Sequence, residues 1–202
     1  MNEIRLIPVI LAVPQNMADV KGRDKTAFLS LWARRALGIS AEKAEMDPGP
    51  LLKNDKGAPV PSKGIFWSVS HKPFYVGGVC ATFPIGLDIE CIRDLHEGMY
   101  EKTASDDEWR LLGGRLNRLF FRMWTGKESV LKKAGTGIGD LMKCRLIAVE
   151  SDAGLVFTYQ GERHVVEQHH FGCHIASVTA PAGLSFSWVI IKEGDVDWPS
   201  YP

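Results

Sequence analysis

The segment Ile85-Gly86-Leu87-Asp88-Ile89-Glu90-Cys91 alternates apolar and polar positions. As a strand it turns Ile85, Leu87, Ile89 and Cys91 to one face and Gly86, Asp88 and Glu90 to the other. Carboxylates two residues apart on one strand face have Cα atoms ~6.5–7 Å apart, near enough to share a hard cation. An all-oxygen pair of that kind suits Mg²⁺ or Mn²⁺. A solvated strand face has the same pattern, so the alternation alone leaves both readings open. Gly86 adds room for a ligand or a second backbone to come close.

A second group lies on the strongest helical pattern of the chain, residues 115–134. Leu116, Leu119, Phe120, Met123, Trp124, Val130, Leu131 and Ala134 form one apolar stripe. Lys127 falls inside it, an expensive place for an ammonium unless its stem snorkels outward. Glu128 and Lys132 stand at i and i+4 on the border of the stripe. As an exposed pair they would contribute only about 0.2–0.5 kcal/mol; as functional groups they would be a third metal carboxylate or general base and a cation facing a phosphate. A third group, Ser68-Val69-Ser70-His71-Lys72-Pro73, places hydroxyl, imidazole and ammonium at a strand end, where together they can hold a phosphate. A serine hydrolase is disfavoured, because no Gly-x-Ser-x-Gly is present and a nucleophilic serine rarely adjoins its own base.

Other clusters read as structural. Gly135-Thr136-Gly137-Ile138-Gly139 follows a helix and lacks the Gly-Lys-Ser/Thr of a phosphate loop, so it is a helix stop and turn. His164, His169, His170 and His174 have no Cys or carboxylate at zinc-ligand spacing, and are expected to be exposed histidines of a β region. Cys80, Cys91, Cys144 and Cys173 show no paired spacing and read as reduced thiols of a cytoplasmic protein.

These groups need elements to position them. Residues 6–13 read as a buried first strand rather than a leader peptide, since Glu3 precedes them and Pro8 interrupts them. Ala27, Phe28, Leu31, Trp32 and Ala36 predict a helix stopped by Gly38. Residues 46–64, with four prolines and three glycines, predict an extended loop. Strands follow at 68–70, 74–83 and 85–92, then helix over 105–134 divided by Gly113-Gly114. Beyond Gly139 the pattern is β, over 144–150, 155–159, 163–167, 173–179 and 184–191, with a hairpin turn at 151–154. The order predicts an α+β fold with antiparallel sheets rather than βαβ units.

Composition bounds the partners. The 202 residues carry 24 Lys plus Arg against 24 Asp plus Glu, so net charge is zero and a strongly basic nucleic-acid binder is disfavoured. With 45% hydrophobic and 24% charged residues the chain is globular, not disordered or coiled coil. No apolar run reaches the ~18 residues of a membrane span, so no membrane partner is expected.

Three segments taken together resemble the 4′-phosphopantetheinyl transferase superfamily, in its surfactin-type, pseudo-dimeric branch. Gly86-Leu87-Asp88-Ile89-Glu90 matches that family's Gly-x-Asp-x-Glu. Trp124-Thr125-Gly126-Lys127-Glu128-Ser129-Val130-Leu131-Lys132-Lys133-Ala134-Gly135-Thr136-Gly137 matches its Trp-x-x-Lys-Glu-Ser/Ala-x-x-Lys-x-x-Gly-x-Gly. Ser70-His71 stands upstream of the acidic strand, as in the family. The resemblance implies two similar α+β halves, here 1–90 and 91–202, each a small antiparallel sheet packed with a main helix, and an active site in the cleft between them. It implies a monomeric transferase that moves the phosphopantetheine arm of coenzyme A to a serine of an acyl or peptidyl carrier protein and releases 3′,5′-ADP. Asp88, Glu90 and Glu128 would hold Mg²⁺ or Mn²⁺, Glu128 would help deprotonate the serine, and Lys132 would stabilise the leaving group. Ser70 and His71 would bind the 3′-phosphate side, and Lys127, which the family has at that place, would join the residues that bind the coenzyme.

Two departures shape the coenzyme site. The family's Gly-Lys-Pro is Gly57-Ala58-Pro59 here, with Lys56 as the candidate to restore the charge. The short N-terminal half leaves Arg23 and Lys25 as the basic candidates for coenzyme A. Alternatives from other classes are a Mg²⁺-dependent phosphodiesterase or nuclease using the same carboxylates, and a non-catalytic relative that binds a carrier protein or coenzyme A.

Overall fold

The computed structural model describes residues 5–17 and 20–195. Pro8 splits the first apolar run into β1 (Arg5–Leu6) and β2 (Val9–Ala12). Helix α1 (Gly22–Lys43) then runs five residues past Gly38, which was expected to end it. A mid-helix glycine costs about 1 kcal/mol relative to alanine. Here the next turn is held by buried Leu37 and Ala41 and by Ser40, whose Oγ donates to Ile7 O at 2.7 Å. The extended segment that follows leads into β3 (Phe66–His71), β4 (Tyr75–Ala81) and β5 (Gly86–Cys91).

Three helices come next: α2 (Gly98–Thr103), α3 (Asp106–Leu112) and α4 (Asn117–Ala134). The first has too few apolar positions to announce itself by periodicity. Ser105 caps α3 through a reciprocal capping box with Glu108. The remaining elements are β6 (Arg145–Val149), β7 (Gly154–Tyr159), β8 (Glu162–Phe171), β9 (His174–Ala180), β10 (Ser185–Phe186) and β11 (Val189–Ile191).

The fold is α+β. One sheet has the order β11-β2-β4-β3 and a second the order β5-β9-β8-β7-β6; β1 and β10 make a two-stranded ribbon. Pairing is antiparallel within the sheets except for β11 on β2, and the ribbon is also parallel. The residues on either side of position 90 are therefore interleaved: β5 pairs with β9, and β11 returns to β2.

Four layers result. Helix α1 packs on the outer face of the first sheet through Phe28, Trp32 and Ala36 against Val9, Leu11 and Val76. The two sheets meet through Ile10 and Val79 on one side and Leu87, Ile89 and Val178 on the other. Helix α4 covers the outer face of the second sheet. Glycines permit the closest approaches: a Cβ on Gly78 would lie 2.3 Å from Leu37 N, and one on Gly86 only 1.9 Å from Ser129 O. Gly86 therefore admits a backbone, that of α4. Among the described residues no helix is long and apolar enough to cross a membrane.

Candidate active site

Strand β5 has the expected alternation, with Leu87 and Ile89 in the core between the sheets and Gly86 against α4. Asp88 and Glu90 share the Gly86 face, toward Glu128 and Lys132 on α4. They are not solvated: Asp88 is 2% exposed and Glu90 5%. Burying two carboxylates requires partners, and the structure supplies cations. Lys132 Nζ donates to Asp88 Oδ1 at 2.8 Å and to Leu87 O at 3.0 Å. Lys72 Nζ donates to Glu90 Oε1 at 2.6 Å, and Arg93 approaches Oε2 at 3.4 Å. Asp88 Oδ2 is buried and has no hydrogen-bond partner among the described residues.

Strand β3 lies beside β5 without forming a backbone ladder with it. Two serine hydroxyls substitute for the ladder. Leu87 N–H donates to Ser68 Oγ at 2.9 Å, and Ile89 N–H donates to Ser70 Oγ at 3.2 Å. Ser70 Oγ in turn donates to Asp88 Oδ1 at 2.9 Å. Ser70 thus fixes the position of Asp88, and the residue of its motif that faces outward is His71, at the end of β3.

A second hydroxyl pairing fixes α4. Thr125 Oγ1 meets Ser177 Oγ at 2.7 Å and Ser129 Oγ meets Thr179 Oγ1 at 2.6 Å, two contacts one helical turn apart on α4 and two residues apart on β9. With α4 held there, Glu128 and Lys132 project over β5. Burial pushes the Glu128 carboxyl above its ordinary range, and the charge of Asp88 and, more weakly, Glu90 adds to the push; Lys132 and Lys72 oppose it. A carboxylate crowded by two others binds a proton or a cation more readily.

The helix ends in a Schellman cap. Gly135 adopts φ 69°, its N–H donates to Lys132 O at 3.2 Å, and Thr136 N–H donates to Leu131 O at 3.0 Å. Tyr159 OH ties the following turn down by donating to Asp140 Oδ2 at 2.6 Å. This turn forms one wall of a cleft of about 540 Å³. The floor carries Asp88, Glu128 and Lys132, and another wall is Ser70, His71 and Lys72. The third wall is the loop at 53–59, folded around Asn54, whose Oδ1 accepts from Lys56 N and Ala58 N, both at 3.0 Å. It brings Lys53 and Lys56 to the cleft. Burial, with Lys132, Lys53 and Lys72 nearby, lowers the His71 pKa below 6.5 and favours the neutral ring.

Of the residues singled out in the sequence, Asp88, Glu128, Lys132, Ser70, His71 and Lys56 come together at this cleft. Glu90 lies behind it, in its pair with Lys72, and the three carboxylates do not close into one compact ligand set. Arg23 and Lys25 stand on the first turn of α1, not among the lining residues. Lys127 is also outside the cleft: it is fully buried, donates to Thr103 O at 2.8 Å and pairs with Glu108 at 2.8 Å. Lys53 stands in no motif of the sequence, and Lys72 is distinguished there only by following Ser70-His71. An ammonium two residues beyond Ser70, just past the end of the strand that abuts Asp88 and Glu90, was the available signal.

The floor can bind a hard cation or an ammonium, and the walls offer Lys53, Lys56, His71 and Lys72 to a polyanion. Residues 84–180 match the family model described as the 4′-phosphopantetheinyl transferase superfamily. The chain is 28% identical over 127 residues to the 4′-phosphopantetheinyl transferase ffp of Bacillus subtilis, covering 60% of this chain and 53% of that protein. It is 30% identical over 90 residues to the transferase gsp of Aneurinibacillus migulanus, covering 43% and 38%. It is 30% identical over 166 residues to the transferase Svp of Streptomyces mobaraensis, covering 73% and 65%. The chain thus spans less than two thirds of the length of each of these relatives.

Proposed function

We propose, because the chain belongs to the 4′-phosphopantetheinyl transferase superfamily, surfactin-type branch, and its cleft gathers anionic and cationic groups as described, that it transfers the phosphopantetheine arm of coenzyme A to a serine of an acyl or peptidyl carrier protein and leaves 3′,5′-ADP. The observation that carries the reading is Asp88, Glu128 and Lys132 on one floor beneath the Lys53, Lys56 and His71 walls. A hard divalent cation fits this floor: Asp88 Oδ2 is a buried oxygen without a partner among the described residues, and Glu128 is made a better ligand by its anionic neighbours. Asp88 and Glu128, with Glu90 behind them, would hold Mg²⁺, which when bound supplies neutralisation of diphosphate charge.

The chain's own groups then have distinct tasks. Glu128, with its raised proton affinity, accepts the proton of the incoming serine hydroxyl. Lys132 lies one turn away and faces the departing phosphate. Lys53, Lys56 and His71 bind the 3′-phosphate end of the coenzyme. Two similar halves, each a sheet with its helix, act as one monomer in the cytoplasm, with no nucleic-acid or membrane partner.

Incubation with coenzyme A, Mg²⁺ and a panel of apo carrier proteins tests the reading. Intact-mass spectrometry is expected to show the gain of one phosphopantetheine on at least one carrier; no gain on any carrier would overturn it. The His71 assignment has its own check. His71→Ala should weaken coenzyme A roughly 10- to 150-fold, the worth of a charge-assisted bond of about 1.5–3 kcal/mol. It should leave 3′-dephospho-coenzyme A nearly unaffected, as calorimetry with both ligands would register. Equal weakening of the two ligands would remove His71 from the phosphate site.

A further inference from the structure

The four C-terminal histidines were expected to be exposed, yet none is: His164 and His174 are buried, and His169 and His170 are half-buried on β8. Chain pairing places the fourth beside two cysteines. His174 opens β9 directly opposite Cys91, the last residue of β5, and Cys173 precedes it in the turn that follows β8. Cys91 Sγ and Cys173 Sγ are 3.7 Å apart, and Cys173 Sγ is 3.4 Å from His174 Nδ1. All three ligand atoms lie within 4.8 Å of one another, the one such trio of metal-type ligands among the described residues.

These separations carry chemical information. Zinc bonds of ~2.3 Å to sulfur and ~2.0–2.1 Å to nitrogen, at tetrahedral angles, set ligand separations of ~3.8 Å for S···S and ~3.5 Å for S···N. The two distances observed fall within ~0.2 Å of those edges. The imidazole is also held in place. Phe171 stacks on it at 5.5 Å and Tyr75 meets it edge-on at 4.7 Å. Its Nε2 is buried and has no hydrogen-bond partner among the described residues, so the polar capacity of the ring is directed through Nδ1 toward the thiols.

We propose that Cys91, Cys173 and His174 form a binding site for a thiophilic divalent cation, Zn²⁺, with water as the fourth ligand on the side where Cys173 is exposed. Both cysteines bind as thiolates, their protons passing to solvent, and His174 binds as the neutral ring. Soft sulfur with imidazole selects Zn²⁺ over Mg²⁺, the reverse of the oxygen floor around Asp88. The two sites lie on opposite faces of β5, since Glu90 and Cys91 are consecutive on one strand.

The test uses the full chain, reduced, freed of metal with a chelator, and kept in saturating Mg²⁺ so that the carboxylates are occupied. Zn²⁺ alone is added. Uptake of one ion per chain is expected, with Cys91 and Cys173 protected from a thiol reagent while buried Cys80 and Cys144 are unreactive throughout. Cys173→Ser, at an exposed turn, should fold and lose more than about tenfold in Zn²⁺ affinity, at least what loss of a supporting group costs a metal site. Glu128→Gln should bind Zn²⁺ like wild type. The proposal is overturned if no Zn²⁺ is retained, if the two thiols stay reactive with Zn²⁺ bound, or if Cys173→Ser binds it undiminished. None of these readouts depends on transfer activity.

Discussion

Glu128→Gln should fold normally and transfer at least about 10²–10⁴-fold more slowly, the span ascribed to general base catalysis. The variant keeps the volume and helix propensity of the residue and removes its charge and its basic oxygen. Folding should survive because Glu128 is only half-buried and its neighbours on α4, Thr125 and Ser129, make the contacts that seat the helix. Relief from a third negative charge beside Asp88 and Glu90 should even help stability slightly. Two effects on activity overlap, weaker cation binding and loss of the base, and saturating Mg²⁺ separates them. Excess cation restores occupancy but cannot restore a proton acceptor. Transfer within about threefold of wild type at saturating Mg²⁺ and coenzyme A would take the proton-accepting role away from Glu128.

Lys127→Met is expected to lower stability by about 3–5 kcal/mol, the usual consequence of stranding one member of a buried ion pair. Lys127 and Glu108 have side chains 0% and 3% exposed. Burial pushes the Glu108 carboxyl upward, but the Lys127 ammonium and the N–H groups of Ser105 and Leu146 outweigh it and hold it below the usual carboxylate range. In the variant burial remains, the largest single influence, opposed by the Ser105 N–H and hydroxyl and the Leu146 N–H, and the carboxyl should rise above its unfolded value. A group raised in this way favours the folded state below its unfolded pKa and loses that contribution as pH rises through the folded one. The deficit should therefore be smaller at acid pH and larger at neutral pH. Urea unfolding across pH would show it, and adding Glu108→Gln should recover much of the loss. A neutral-pH deficit under about 1 kcal/mol would mean that the pair is not what joins α4 to α3.

That pair also explains where reading the sequence alone stopped. The stripe on α4 correctly placed Lys127 inside an apolar face, but the partner is 19 positions upstream in a different helix, and no periodicity connects the two. The alternation of β5 and the i, i+4 spacing of Glu128 and Lys132 were local, so the candidate floor could be read directly. The adjacent hydroxyl and imidazole make Ser70 resemble a ligand group in the sequence. Its commitment to Asp88 and Ile89 depends on β3 lying beside β5, a tertiary fact. Only charge marks Arg23 and Lys25 as candidates, and charge says nothing about which wall of a cleft a helix terminus approaches. The run past Gly38 failed to show in propensity because the burial of Leu37 and Ala41 decides it. The trio at Cys91 escaped spacing rules since its members are joined by strand register rather than by sequence separation.

The parallel pairing of β11 on β2 sets an order of events during synthesis. Val9, Ile10 and Leu11 find their partners at Val189, Ile190 and Ile191, so some 180 positions of chain must leave the ribosome before that edge is covered. Helix α1, β3 and β4 can assemble early from neighbouring residues, but they do so around a strand whose outer edge is still open. An open edge made of valine, isoleucine, leucine and alanine invites pairing with another chain. The nascent protein therefore passes through a stage at which this edge is adhesive, and the arrival of β11 is what ends it.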